Sequence, residues 1–582
     1  MRKRRISITP ILLMTLPGLV HPQKGAPASP HRPATYCNPL NLDYTYQITQ
    51  SDKNISYRSG ADPAAVAFRG GYYLFVTRTL GYWYSPDLTQ WRFIKPERWY
   101  FQGSNAPAAH NDKDRLLYVT GDPSGTMSLL YTGDPQKGDW QAVPALLYDL
   151  QDPDFFMDDD GRAFMFWGSS NRFPIRGCEL DPNHRFLPRT GPVELFNLDE
   201  ARHGWERFGE NHDDPNLGGY IEGAWLTKYA GKYYMQYAAP GTEWNTYADG
   251  VYLADSPLGP YTYAPHNPMS YKPGGFINGA GHGSTVIGPG GQYWHFATMV
   301  IGVNYKFERR LGMFPAFFDS GGVMYADTSF GDYPHYAPGE PGKKGAFAGW
   351  MLLSYQKPVT ASSYLEDYPP ERVTDENVKT FWVAKSSEPG QWLRIDLEQP
   401  ATVRAFQINY HDYKSNLYGR APNLYQQYVV ESSLDGKKWT VLHDRGRDRL
   451  DTPNDYVELP AAVRARYIRF TSLHVSTPHL AIAGLRIFGN VAGKPPAAVT
   501  GVKVAREQDR RNAAITWDSR PGSQGYNVRW GIAPGKLYSS WLVYGRNSLA
   551  IRALGVDQHY YFTVEAFDAH GVGNPSPVSE AP

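Results

Sequence analysis

From about residue 36 to residue 300 one arrangement of polar and apolar positions recurs along the chain. A polar or acidic residue precedes a short apolar run, a glycine-bearing turn follows, and an aromatic-rich run comes next. The first instance runs from Gly60 through Asp62 and the apolar Ala64 to Phe68, turns at Gly70 and Gly71, and continues from Tyr72 to Thr77. The pattern restarts at Ala106-Pro107, Gln151-Asp152, Glu222-Gly223 and Gly281-His282. Short runs rich in Tyr, Phe, Val and Trp, bounded by Gly and Pro, predict strands and hairpins rather than helices. In the fourth repeat the predicted strands meet at a turn on Ala230-Gly231, and the second, from Lys232 to Ala238, is rich in Tyr.

Five repeats of roughly 45 to 70 residues, each a small antiparallel sheet, predict an all-β, five-bladed β-propeller. There the innermost strand of every sheet lines a central channel, so residues opening those strands converge on one mouth. Asp62, Asp152 and Glu222 open three of them. Three carboxylates brought together are costly unless they serve a purpose. Glu222 also sits between Ile221 and the apolar Ala224-Trp225-Leu226. Ionisation in such company loses hydration, so its pKa is expected to rise toward a value suited to proton donation. Taken alone, Glu222 reads more readily as a solvated strand glutamate; the aspartates in corresponding places change that balance.

Composition narrows the picture. Lys and Arg number 58 against 57 Asp and Glu, which leaves no basic stripe for nucleic acid. With 42 Tyr and 16 Trp the chain has many flat apolar faces of the kind sugar rings stack on, though most must be core. Its 582 residues predict three or four domains. Met1 to Arg5 is basic and Ile6 to Val20 mostly apolar, which reads as an export signal over residues 1–26 and a periplasmic or extracellular protein. The run is too short to span a membrane. Cys37 and Cys178 are open to pairing but do not make a disulfide framework, and no clustered His/Cys set suggests zinc.

The motifs at Ala61-Asp62-Pro63, Asp152 to Gly161, Glu222-Gly223 and Gly281-His282-Gly283, with Ala106-Pro107 in the second repeat, resemble glycoside hydrolase family 43 over about residues 36–338. The resemblance implies a five-bladed catalytic domain of the kind found in β-xylosidases, α-L-arabinofuranosidases, arabinanases and some galactosidases. It further implies Asp62 as general base, Glu222 as general acid, Asp152 as the carboxylate that raises the acid's pKa, and inversion at the anomeric carbon. His282 would be a neighbour of a structural calcium near the channel axis; the chemistry itself needs no cofactor. Glu222-Gly-Ala stands where Glu-Gly-Pro is usual, and Gln151 where an apolar residue is common, which leaves the sugar open. An exo-acting enzyme is expected, because residues 37–57 and long loops between sheets would wall one end of the channel. It would release terminal furanosyl or pentosyl units from an oligo- or polysaccharide. The alternatives are a carbohydrate-binding propeller without catalysis, and a retaining enzyme of the fructan-acting type. Oligomeric state is not legible.

Other residues carry weaker signals. Arg309 and Arg310 are candidates to clamp sugar hydroxyls, Asp332 and His335 to line the pocket, and Trp225, with Trp83, Trp167 and Trp244, to stack on sugar. Asp154 competes with Asp152 as the buried carboxylate, and Asp158-Asp159-Asp160-Gly161 reads as a hairpin turn rather than a metal loop. Beyond a Gly/Pro-rich run at residues 338–345, Lys357-Pro-Val-Thr-Ala, Phe381-Trp382, Gln391 to Leu397 and Ala465 to Phe470 resemble a discoidin (F5/8 type C) domain, which implies a jelly roll. After Lys494-Pro-Pro, the remainder resembles a fibronectin type III domain, with Trp517 as core residue and Tyr560 at a tyrosine corner. The expected boundaries are 1–26 leader, 27–345 propeller, 346–491 discoidin-like and 492–582 fibronectin type III.

Overall fold

Aromatic and β-branched residues alternating with turn residues leave little for helices to use, and the chain is all-β, 47% strand and 4% helical. The computed structural model describes residues 32–48, 55–97, 105–121, 129–143, 150–215 and 218–582. The expected leader, and residues 49–54 of the expected wall, lie outside the described residues.

Five antiparallel sheets follow one another along the chain, the last two joined by a parallel pairing of Ala248 with Ala280. Their first strands are β1 (Ala64–Phe68), β2 (Asn105–Asp112), β3 (Asp154–Met157), β4 (Glu222–Tyr229) and β5 (Asn278–Ile287). In the first sheet β1 is followed in order by Gly71–Phe75, Tyr82–Ser85 and Arg92–Ile94, and the second sheet repeats this meander. The five first strands contact one another in a closed cycle, β1 to β2, β2 to β3, β3 to β4, β4 to β5 and β5 back to β1. A pairing of Thr35–Tyr36 with His335–Tyr336 clasps the chain before the first sheet to the chain after the fifth. The turn at Ala230-Gly231 has both residues at positive φ (48° and 77°), as a two-residue hairpin joining β4 to Lys232–Ala239 requires. Asp158 to Gly161 is likewise a turn, tied by the Asp158 carboxylate to Lys228 and to the Tyr233 hydroxyl, each at 2.5 Å.

Residues 351–490 form an eight-stranded sheet system built on two long strands, Trp392–Tyr410 and Asn454–Val475. Residues 503–581 form a three-stranded and a five-stranded sheet with Trp517 buried between them. There Tyr560 accepts a hydrogen bond from the Gly555 amide at 2.8 Å. One apolar core runs through Trp205, Tyr237 and Tyr271 near the fourth sheet into Trp517, Trp530 and Trp541, so the last sandwich is packed onto the first domain. The two cysteines do not pair: Cys37 and Cys178 are both free and buried in separate apolar clusters. Burial pushes the Cys37 thiol up to about 12.

Candidate active site

The residues that open the first strands share a backbone feature with no signature in the pattern of apolar positions. Asp62 (φ 54°), Ala106 (37°), Asp152 (50°), Gly223 (68°) and His282 (47°) all lie in the left-handed region, one in each sheet. For non-glycine residues this conformation costs about 1–3 kcal/mol each and persists only where the surroundings over-determine it. Five-fold repetition at one end of the cycle marks a rim built for placement of side chains. Gly223 has a second constraint: a Cβ there would stand 2.8 Å from the His282 ring.

A cavity of about 480 Å³ lies at this rim, a size that suits one or two sugar rings. Asp62, Asp152, Glu222 and His282 all line it. The His282 Nδ1 is 3.4 Å from Asp62 Oδ1 and 4.0 Å from Asp152 Oδ2. Ligating atoms of Asp152, Glu222 and His282 lie within 4.8 Å of one another. Asp62 accepts from the Thr77 hydroxyl at 2.6 Å, and Arg309 Nη1 is 3.5 Å from its other oxygen. Burial alone would raise the Asp62 carboxyl, but Arg309, His282 and Thr77 outweigh it and hold it below the ordinary carboxylate range.

Glu222 is held from two sides. The Tyr247 hydroxyl donates to its Oε1 at 2.5 Å and the Ser169 hydroxyl to its Oε2 at 3.0 Å. Burial and the neighbouring Glu222 charge keep Tyr247 a neutral phenol. Asp152 is pushed up to about 8, first by burial and then by the charges of Glu222 and Asp62, with His282 and Ser169 pulling the other way. Asp152 thus keeps a proton near neutrality, beside Glu222. His282 is raised in turn, since the surrounding carboxylates outweigh its burial. Its backbone is fixed from beneath by Asp249, which accepts from the amides of His282 at 2.6 Å and Gly283 at 2.9 Å.

Adjacent residues on a strand face opposite ways, and this separates the two candidate arginines. Arg309 lines the cavity and donates to Thr242 at 3.0 Å; Arg310 is buried, donating to the Arg58 carbonyl at 2.6 Å. Trp225 does not line the cavity: after an irregularity in the pairing of β4 between Glu222 and Trp225, its ring packs against the apolar cluster of the first two sheets. Asp332 is also away from the cavity, fully buried against Lys272 at 2.8 Å. Asp154 is buried too, accepts the Leu226 amide at 2.8 Å, and is raised to about 7 by burial. The side chains at His282, two carboxylates and one ring nitrogen, would leave most of the six to eight oxygens of a calcium shell to water.

Sequence reasoning missed Thr77, Ser169 and Tyr247. It also could not anticipate what holds the cavity wall. Gln47, Tyr57 and Ser59 line the cavity from the hairpin Thr45–Ile48/Ser56–Ser59. Asp412, more than 350 residues further along, grips that hairpin by accepting from the Tyr46 hydroxyl and the Arg58 amide, each at 2.9 Å.

An all-β protein with a sugar-sized cavity, one carboxylate held ionised and a carboxyl pair holding a proton, has the makings of an acid–base hydrolase. Residues 52–322 match the family model Glycosyl hydrolases family 43, and residues 358–485 match the F5/8 type C domain. Residues 52–322 are therefore similar to family 43 glycosyl hydrolases, and residues 358–485 to F5/8 type C domains. A beta-xylosidase of Xylanibacter ruminicola is 31% identical over 171 residues, covering 25% of this chain and 51% of that protein. A beta-D-galactofuranosidase of Aspergillus niger is 25% identical over 239 residues, covering 35% of this chain and 64% of its own length. The chain thus spans about half the length of the first relative and under two thirds of the second. Among solved structures, a thermostable family-43 glycoside hydrolase is 20% identical, covers 52% of this chain and 99% of its own, and has a TM-score of 0.42.

Proposed function

We propose that this protein is an exported, exo-acting glycoside hydrolase that removes terminal pentosyl or furanosyl units from an oligo- or polysaccharide, with inversion. The five sheets are read as the blades of a five-bladed propeller over residues 27–345, residues 346–491 as the discoidin-like jelly roll, and residues 492–582 as a fibronectin type III sandwich. What carries the functional reading is the contrast inside one cavity: Asp62 held ionised, beside an Asp152–Glu222 pair that keeps a proton.

Hydrolysis through an oxocarbenium-like transition state needs a proton for the departing oxygen and a nucleophile at the anomeric carbon. Asp62 takes a proton from a water as that water attacks. Arg309 and Thr77 keep Asp62 oriented and anionic for this. Glu222, steered by Tyr247 and Ser169, delivers the pair's proton to the leaving oxygen, and Asp152 keeps that proton within the pair. Inversion requires room for the water, about 6.5–9.5 Å between the two carboxyl groups. Exo action is supported by the hairpin bearing Gln47, Tyr57 and Ser59, which closes one side of the cavity. The names of the relatives favour xylose or galactofuranose as the released sugar. No step requires calcium. Among the described residues no helix is long and apolar enough to cross a membrane.

A screen of aryl xylosides, arabinofuranosides and galactofuranosides tests the reading, run on the parent with Asp62→Asn and Glu222→Gln beside it. NMR of the first-formed anomer reads the stereochemistry. Turnover by the parent, lost in both variants and with inversion, is expected. Undiminished turnover in both variants would remove these residues from the mechanism. A parent that binds the sugars without turnover would make the protein a carbohydrate-binding propeller.

A further inference from the structure

Beside the catalytic cavity lies a second, shallower depression of about 200 Å³. The two share Gln151 and Ser169 in their walls. The depression continues outward over Phe173, Pro174 and Arg176. Phe173 is 60% exposed, the highest value among the exposed large apolar side chains of the described residues. The Arg176 guanidinium lies 5.6 Å from the ring centroid on one side, which leaves the other side to solvent. Gln151 is exposed as well and donates no side-chain hydrogen bond among the described residues.

The loop that carries Phe173 is fixed to the acid. Ser169 donates to Glu222, and Ser170 exchanges both backbone hydrogen bonds with Ile221, at 3.0 and 2.9 Å. The Ser170 hydroxyl then accepts from the amides of Arg172 and Phe173, both at 3.0 Å. Phe173 therefore stands at a set offset from Glu222. A general acid must face the oxygen that leaves, so the departing group of a bound glycoside lies on the Glu222 side of the cavity. That is where the depression opens.

We infer that Gln151 and Phe173 form the leaving-group subsite, in which a pyranose residue of the substrate stacks on the open face of Phe173 while Gln151 hydrogen-bonds its hydroxyls. The substrate is then a glycosylated sugar rather than a small alkyl glycoside. Gln151, the residue that departs from the apolar pattern in its motif, gains a role as the polar contact at the junction of the two sites. The inference rests on the glycosidase reading above.

The test compares a substrate that has a leaving sugar with one that has none. Xylobiose and xylosyl fluoride are the probes, or the matching arabinose pair where the screen selects that sugar. Phe173→Ala is expected to lower kcat/KM on xylobiose about tenfold, chiefly through KM, and to leave the fluoride within about twofold. Gln151→Ala is expected to lower kcat/KM on xylobiose by a smaller factor, and Phe173→Trp to retain parental values. Both side chains are exposed, so circular dichroism should show the fold intact. Equal losses on both probes, or no loss on either, would overturn the subsite. A parent that turns over no glycoside would end the glycosidase reading and the subsite with it.

Discussion

Replacing Asp152 by Asn should make the protein more stable and less active, with the gain in stability growing as pH rises. In the unfolded chain an aspartate ionises near 3.8, whereas the folded protein holds Asp152 protonated up to about 8. Folding therefore takes up a proton between these limits, and Asp152 destabilises the fold progressively as pH climbs from about 4 to about 8. Three pH units, from 5 to 8, correspond to an upper bound of roughly 4 kcal/mol at 1.36 kcal/mol per unit. The Asp152 side chain is 15% exposed and interacts with several neighbouring charges, so about half of that, ~2 kcal/mol, is the expected change. Asn does not titrate and escapes this penalty. Scanning calorimetry of parent and variant at pH 5 and pH 8 should show the variant's advantage widening by a few degrees at the higher pH. Hydrolysis should fall by about 10²–10⁴, since Asn brings neither charge nor an exchangeable proton to Glu222. An advantage that stays constant or narrows with pH would mean that Asp152 is ionised in the folded protein, and the reasoning would fail.

Other consequences can be measured. The pH profile of kcat/KM should be bell-shaped, because the base must be ionised and the acid protonated. Its acid limb is expected below the ordinary aspartate range, where Asp62 finally gains a proton, and its alkaline limb near pH 8, where Asp152 loses its own. Arg309→Ala should move the acid limb upward, since the charge that holds Asp62 low is gone; an unmoved limb would assign that ionisation elsewhere. Arg486→Met should destabilise the full chain by about 3–5 kcal/mol in urea unfolding, because Glu376, paired to it at 2.6 Å, is left buried and alone. Combining it with Glu376→Gln should recover part of that loss.

The strands and their hairpins were legible because a two-residue period and paired turn residues leave a local imprint; the turn at Ala230-Gly231 is an example. The acidic residues at the cavity were legible from their place in each repeat. The left-handed backbone at Asp62, Asp152 and His282 was not, because nothing in those residue types announces it; it follows from the closed cycle of strands. Choosing between Arg309 and Arg310 needed the register of their strand, which alternation alone cannot fix. Trp225 misled for a related reason: an irregularity in the pairing after Glu222 changes which face the ring takes. Tyr247 and Ser169 come from loops whose positions depend on neighbouring sheets. Asp412 reaches the cavity wall only through domain packing, so no local pattern could point to it.

The division of labour between Asp62 and Glu222 is tested most directly by varying how much the leaving group needs a proton. Glu222→Gln should lose about 10³-fold in kcat/KM on an oligosaccharide, yet stay within about tenfold of the parent on a dinitrophenyl glycoside, whose phenolate departs unaided. Equal losses on the two substrates would contradict the assignment of Glu222 as the proton donor.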